Sequence, residues 1–299
     1  MHADEVDIGP AVARRLVDMQ FPQWAELPLE PLRFGGTDNV IYRLGHDKSV
    51  RLPRRLPSTG QLEKERRWLP ILAPLLPLAI PVPLTVGEPG EGYPFVWSVY
   101  TWLEGETPTV EPITDLRRAA ADLAEFVSAL QRVDPSGGPP PGPHNAYRGV
   151  PLAMRDDLTR EAIVKLGDTI DSGAVTAVWE GALEAPRWDR APVWIHGDLD
   201  ARNVLVEHGR LSGVIDFGCL GVGDPASDVM VVWKLLSAET RDDFRTVLSI
   251  DDATWARSRG WAVSQAVLAL SYYTLETNAV LVLEAQRWLA AVLADQPAR

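Results

Sequence analysis

Four residues that can do chemistry together fall inside Trp194–Gly218: His196, Asp198, Asn203 and Asp216. Runs that read as buried strand border them, at Val193–Ile195, Val204–Val206 and Val214–Ile215. Polar groups beside buried strand are costly unless they are paired or used. The spacing His-x-Asp-Leu-x-x-x-Asn is met by His196, Asp198, Leu199 and Asn203, and Asp216-Phe217-Gly218 begins eighteen residues after Asp198. A carboxylate beside an attacking hydroxyl can orient it and take its proton. An amide oxygen and a second carboxylate can hold magnesium against nucleotide phosphates. These types, in this order, suit phosphoryl transfer. Either piece alone is a weak signal; both at a hairpin's separation are a strong one, because a tight turn between two strands brings their ends together.

Blander readings exist for each residue. Asp198 and Asn203 can cap turns, and His196 suits a brace that hydrogen-bonds the loop backbone. A metallohydrolase built on His196, Asp198 and Asp216 would need further ligands; the chain has five histidines and no H-E-x-x-H pair.

The elements that must position these residues change character along the chain. Ala11–Gln20 reads as a short helix. Val40–Leu44 and Val50–Leu52 flank the turn Gly45-His46-Asp47-Lys48, and an earlier run ends in Gly35-Gly36, which suggests a β-meander with a glycine-rich turn. A helix is expected over Gln61–Leu72, then strands in IPVPLTVGE and YPFVWSVYTWLEGE. Beyond Glu104 the pattern turns helical. Leu116, Leu123, Phe126, Val127 and Leu130 recur at helical spacing within Asp115–Val133, with Thr114 as its cap. Asp134–Pro151 is a Pro/Gly-rich loop, a connector or a substrate-side loop. Helices are expected over Met154–Asp168, over Ala174–Ala185 and again from Pro225. A β-rich front and an α-rich back imply two lobes, residues 1–103 and 104–299, rather than a repeating βα sheet.

Composition narrows the classes. The 299 residues are 46% hydrophobic and 23% charged, which suits a globular chain with a substantial core. A net charge of -12 disfavours nucleic acid and anionic membrane and favours a cationic small molecule. Cys219 is the single cysteine, which excludes an intramolecular disulfide and a Cys-based zinc site. The acidic start lacks a signal pattern, and five prolines interrupt the apolar stretch Leu69–Val86. A soluble, cytoplasmic protein is expected.

With these motifs in hand, the chain resembles the aminoglycoside phosphotransferase family, which shares the protein-kinase-like fold with choline and macrolide kinases. The resemblance rests on Gly35-Gly36-Thr37-Asp38-Asn39, SVRLPRR, WSVYTWLEGE, HGDLDARN, IDFG and GDPASD. Gly197 replaces the Arg of the protein-kinase H-R-D, and no A-P-E follows Asp216-Phe217-Gly218, so a protein kinase is disfavoured. The resemblance implies an α+β fold, with a small antiparallel β lobe carrying one helix and a larger helical lobe. It also implies Asp198 as catalytic base and Asn203 and Asp216 as ligands of Mg2+. Asp224 and Asp228 are expected to order the following loop and helix start.

On the nucleotide side, Gly35 and Gly36 suit a phosphate-covering loop, since glycine lets backbone N–H groups approach closely. The third strand should carry a cation for the donor phosphates, paired with a carboxylate of the next helix. Lysine is usual; here Arg51 takes the place, with Glu65 as first choice of partner and Glu63 as second. Backbone of Ser98, Val99, Tyr100 and Thr101 is expected to meet the purine edge, with Val50 against the ring. Acceptor-side candidates are Asp200, Arg202, Asp224, Trp233, Tyr272, Tyr273 and Glu276. Arg202 could neutralise the transferring group. The expected activity is magnesium-dependent transfer from ATP or GTP to a hydroxyl of an antibiotic, aminoglycoside-type first, then macrolide or nucleoside. A metabolic kinase for choline, an amino alcohol or a sugar is one alternative, and a non-catalytic nucleotide-binding protein is another.

Overall fold

Alternation of side chains builds the first sheet. In the computed structural model, which describes residues 6, 8–32, 39–56 and 59–295, five strands pair antiparallel. They are β1 (Leu29–Pro31), β2 (Asn39–Leu44), β3 (Lys48–Pro53), β4 (Pro83–Gly87) and β5 (Trp97–Thr101), in the order β1-β2-β3-β5-β4. Tyr42, Leu44, Val50, Leu52, Trp97 and Val99 form one buried cluster with Ala13, Leu16 and Val17 of α1 (Pro10–Gln20). The period of two turns Asn39, Arg51, Ser98 and Tyr100 to the other face. There α2 (Thr59–Leu72) supplies Glu65, which bonds Arg51 and Tyr100. Two compact units result: Met1–Gly105 with Gly213–Gly218, and Glu106–Ser212 with Cys219–Arg299.

The second unit is mainly helical. It holds α3 (Leu116–Arg132), α4 (Asp156–Leu166), α5 (Ser172–Glu184), α6 (Ala226–Val229), α7 (Val231–Leu235), α8 (Ala238–Val247), α9 (Asp252–Tyr272) and α10 (Leu275–Ala294). Helix α3 buries Leu123, Phe126, Val127 and Leu130 along one stripe. Each such side chain contributes roughly 1.5–3 kcal/mol of apolar burial. Helix α9 is buried nearly all round and packs on α4, α5, α6 and α10. Such a helix forms the centre of a unit rather than its surface.

Four short strands frame the functional loop. β6 (Val193–Ile195) pairs with β9 (Gly221–Gly223), and β7 (Val204–Glu207) forms a hairpin with β8 (Arg210–Val214). The hairpin turns at His208 and Gly209, both at positive φ (53° and 74°), as a two-residue turn matched to strand twist requires.

The expected elements are found with shifted ends. Helix α3 is capped by Asp115, whose carboxylate accepts the Arg118 N–H at 3.0 Å, not by Thr114. Thr114 instead donates its hydroxyl to the Gly209 carbonyl, because the last extended residue before the helix lies one position later. The helix expected from Met154 begins as a 3-10 turn, Leu152–Arg155, and becomes α-helical only at Asp156. Helix α5 starts earlier, where Asp171 accepts the Ala174 N–H at 2.9 Å. Among the described residues, no helix is long and apolar enough to cross a membrane.

Candidate functional site

The loop after β6 is held from behind by a buried carboxylate. Asp228, on α6, is fully buried, and its two oxygens accept the main-chain N–H groups of His196 and Gly197 at 2.7 Å each. His196 is also fully buried, and its Nδ1 accepts the Asp198 N–H at 3.2 Å. The histidine is thus a brace, as its place in the sequence suggested. Gly197 stands at φ +83°, and a Cβ there would lie 2.6 Å from the Cys219 carbonyl oxygen and 3.1 Å from Arg148 Cβ. No other residue type fits that turn.

This bracing presents Asp198. The Asn203 side-chain N–H donates to the Asp198 carbonyl at 2.8 Å, which fixes the amide plane and leaves the amide oxygen as an acceptor. Arg148 Nη2 lies 3.4 Å from Asp198 Oδ1. Burial opposes charge on Asp198, but Lys234, Arg148 and Arg202 outweigh it and hold the carboxyl below its ordinary range. Asp198 therefore stays anionic, the form that can accept a proton.

In the first unit, Arg51 meets Glu65 as expected. Its Nη1 lies 3.0 Å and 3.2 Å from the two carboxylate oxygens. Glu65 is 1% exposed and also accepts from the Tyr100 hydroxyl and the Gln61 amide, at 2.6 Å each. With the Asn39 amide oxygen turned inward, it accepts from Arg51 Nε and Nη2 at 3.1 Å each. Burial works against the Arg51 charge, yet Glu65 and Asp216 keep the guanidinium above its ordinary range. Arg51 Nη2 lies 3.7 Å from Asp216 Oδ1. Asp216 is half exposed and stands at φ +62°, a backbone state uncommon outside glycine. Glu63, the second choice of partner, is exposed.

Asn203 and Asp216 both offer oxygen, the donor magnesium takes. Among the described residues no three of His, Cys, Asp or Glu cluster as metal ligands. Amide and carboxylate oxygens of this kind fit a hard cation that keeps phosphate and water ligands.

Two expectations on the nucleotide side change. Strand β5 lies between β3 and β4, with Ser98 opposite Arg51 and Val86, and Val99 opposite Val50 and Thr85. Tyr100 faces Ser49 and Pro83, and the Thr101 N–H donates to the Val82 carbonyl. An interior strand spends its backbone groups on its neighbours, so Ser98, Val99, Tyr100 and the Thr101 N–H are engaged by adjoining chain rather than open to a purine. Trp102 N–H is spent on the Asp47 carbonyl, whereas the Leu103 backbone makes no bond among the described residues. Val50 is fully buried in the α1 cluster, on the face away from Arg51. Gly35 and Gly36 lie outside the described residues.

The acceptor-side candidates are largely committed elsewhere. Asp200 is buried and holds Arg202 through its main-chain N–H and guanidinium. Asp224 is buried against Arg257, at 2.8 Å and 3.2 Å. Trp233 is 1% exposed, as core aromatics are, while Tyr272 and Glu276 are exposed. Tyr273 stacks edge-on against Tyr272. Arg148 escaped sequence reasoning, since a lone arginine in a Pro/Gly-rich loop carries no signal.

Residues 29–261 match the family model of APH, the phosphotransferase enzyme family. The chain belongs to this phosphotransferase enzyme family. Within the family, it is 26% identical over 146 residues to an aminoglycoside 3'-phosphotransferase of Escherichia coli, a match covering 47% of this chain and 52% of that protein. It is 27% identical over 161 residues to the Escherichia coli hygromycin-B 4-O-kinase, covering 50% of this chain and 47% of that protein. The chain spans about half the length of the curated relatives it matches. Solved structures share the fold over nearly the whole chain. The GDP complex of aminoglycoside 2'-phosphotransferase-IIIa has a TM-score of 0.75 at 21% identity, covering 96% of this chain and 99% of that one. The macrolide 2'-phosphotransferase MphH of Brachybacterium faecium gives 0.63 at 22% identity, covering 97% and 100%. The α+β architecture of this chain, an antiparallel sheet followed by a helical part, is therefore the protein-kinase-like one.

Proposed function

We propose that this phosphotransferase moves the γ-phosphoryl group of ATP or GTP to a hydroxyl of a small-molecule antibiotic, aminoglycoside-type first and macrolide or nucleoside next. The observation that carries this reading is the Asp198 loop: a carboxylate held anionic by nearby cations, braced by Asp228 and His196, with the Asn203 amide oriented beside it. Membership of the family supports it, as do relatives that act on aminoglycosides. A related structure holds GDP with kanamycin.

In this reading Asp198 orients the acceptor hydroxyl and takes its proton. Arg51, fixed by Glu65, steadies the donor phosphates. The unengaged Leu103 backbone meets the purine edge. Asn203 and Asp216 are the residues that would each offer an oxygen to magnesium, which when bound would supply charge neutralisation on the donor phosphates. Positioning and electrostatics do most of the work. Donor nucleotides place the reaction in the cytoplasm, and the acidic surface suits a cationic acceptor over nucleic acid or membrane.

The test is a mass-spectrometric screen. Purified protein, magnesium and mixed ATP and GTP meet aminoglycosides, macrolides, nucleoside antibiotics and amino alcohols. A phosphoryl-group mass gain on an antibiotic is expected. Gain only on amino alcohols or sugars would move the protein to a metabolic kinase. Nucleotide binding with no gain on any compound would favour a non-catalytic role.

A further inference from the structure

Arg148 belongs to the Pro/Gly-rich loop, yet it is fixed in place. Its main-chain N–H donates to the Asn145 carbonyl at 3.0 Å, and its carbonyl accepts from the Asn145 side chain at 3.1 Å. Asn145 is 1% exposed. The Arg148 side chain is 14% exposed and reaches Asp198 through one long contact, 3.4 Å from Nη2. Its Nε is buried and has no partner among the described residues. A buried guanidinium with an unspent donor is costly, since its fork can serve several acceptors at once. Gly197 makes the approach possible, because a Cβ there would crowd Arg148 Cβ at 3.1 Å. Arg202, the sequence's candidate for this duty, is already spent on Asp200.

We propose that Arg148 is a catalytic residue whose guanidinium binds the phosphoryl group as it passes to the acceptor; this rests on the phosphotransferase reading above. The oxygen that Asp198 deprotonates is the one that bonds to phosphorus. Its lone pair forms the new P–O bond. The bond from the γ-phosphorus to the β–γ bridging oxygen breaks, and its electron pair leaves on the nucleoside diphosphate. The acceptor's proton passes to Asp198. The transferring group thus comes within a few ångströms of the Asp198 carboxylate, where Arg148 Nη2 already stands. Charge spread over its three outer oxygens is what a planar cationic fork binds.

The test uses the full chain and needs no acceptor. MgADP binding is measured by calorimetry with and without fluoroaluminate, a mimic of the phosphoryl group in flight. Slow MgATP hydrolysis, with water as acceptor, is followed in parallel. In Arg148→Gln, MgADP affinity is expected to hold while the added affinity from fluoroaluminate disappears, and hydrolysis falls about 10²-fold. Arg148→Lys recovers part of both. Free guanidinium recovers part of both in Arg148→Ala, which a merely structural strut would not allow. The proposal is overturned if Arg148→Gln keeps the fluoroaluminate gain, or if it loses MgADP affinity and thermal stability in equal measure. It also falls if the wild type binds MgADP but gains nothing from fluoroaluminate. A wild type that binds no MgADP would overturn the phosphotransferase reading itself.

Discussion

The buried carboxylate of Asp228 accepts the main-chain N–H of Gly197 at 2.7 Å. Its other oxygen takes the N–H of His196, so one side chain on α6 fixes two successive peptides of the loop that presents Asp198. Asp228→Ala leaves both donors buried without an acceptor, at a cost of about 1–3 kcal/mol for each. Urea denaturation will show this loss; a variant as stable as the wild type would mean water replaces the carboxylate.

The same group makes stability depend on pH. Burial raises the Asp228 carboxyl above its ordinary range, against the opposing pull of His196 and the two N–H groups. As pH falls, the folded chain takes up this proton before the unfolded chain does. The site therefore favours folding most at acid pH and less as pH rises through the folded value. Asp228→Asn removes that dependence. Urea midpoints of wild type and Asp228→Asn should diverge toward acid in the wild type's favour; parallel midpoints would refute the raised value.

Asp198→Asn keeps the shape of the loop and removes the base. Turnover on any accepted antibiotic should fall about 10²–10⁴-fold. Nucleotide binding should be little changed. Calorimetry and a phosphoryl-transfer assay on the same protein separate the two, and retained turnover would sink Asp198 as the base.

Arg51→Met strips the one cation that pairs, among the described residues, with a carboxylate that is 1% exposed, leaving Glu65 with Tyr100 and Gln61 as donors. Breaking such a buried pair costs about 3–5 kcal/mol. Arg51→Lys keeps the charge but cannot serve Glu65 and Asn39 together, so it should fall between the two. Denaturation midpoints give the order; an unchanged Arg51→Met midpoint contradicts it.

Chelation by EDTA should stop transfer, and added magnesium should restore it. Asp216→Ala should raise the magnesium concentration needed for half-maximal rate, because one oxygen ligand is gone. An unchanged magnesium requirement would remove Asp216 from the metal site.

The sequence alone determined the chemistry-bearing loop. Asp198, Asn203 and Asp216 stand at a spacing that a hairpin imposes, and spacing within a local element is written in the chain. It also determined the alternating strands and the amphipathic α3, since both periods follow from which side chains must leave water. The pair of Arg51 and Glu65 was legible because a strand cation and a following helix are near neighbours in sequence. Tertiary structure alone decided the rest. Arg148 reaches Asp198 across 50 residues, and Asp228 reaches Gly197 across 31. No local pattern encodes such contacts, which depend on how distant elements pack. It also decided that Ser98, Val99 and Tyr100 have no backbone groups to give a purine. A strand's composition shows that it is buried, but not that it has a neighbour on both sides, and that neighbour is what consumes its hydrogen bonds.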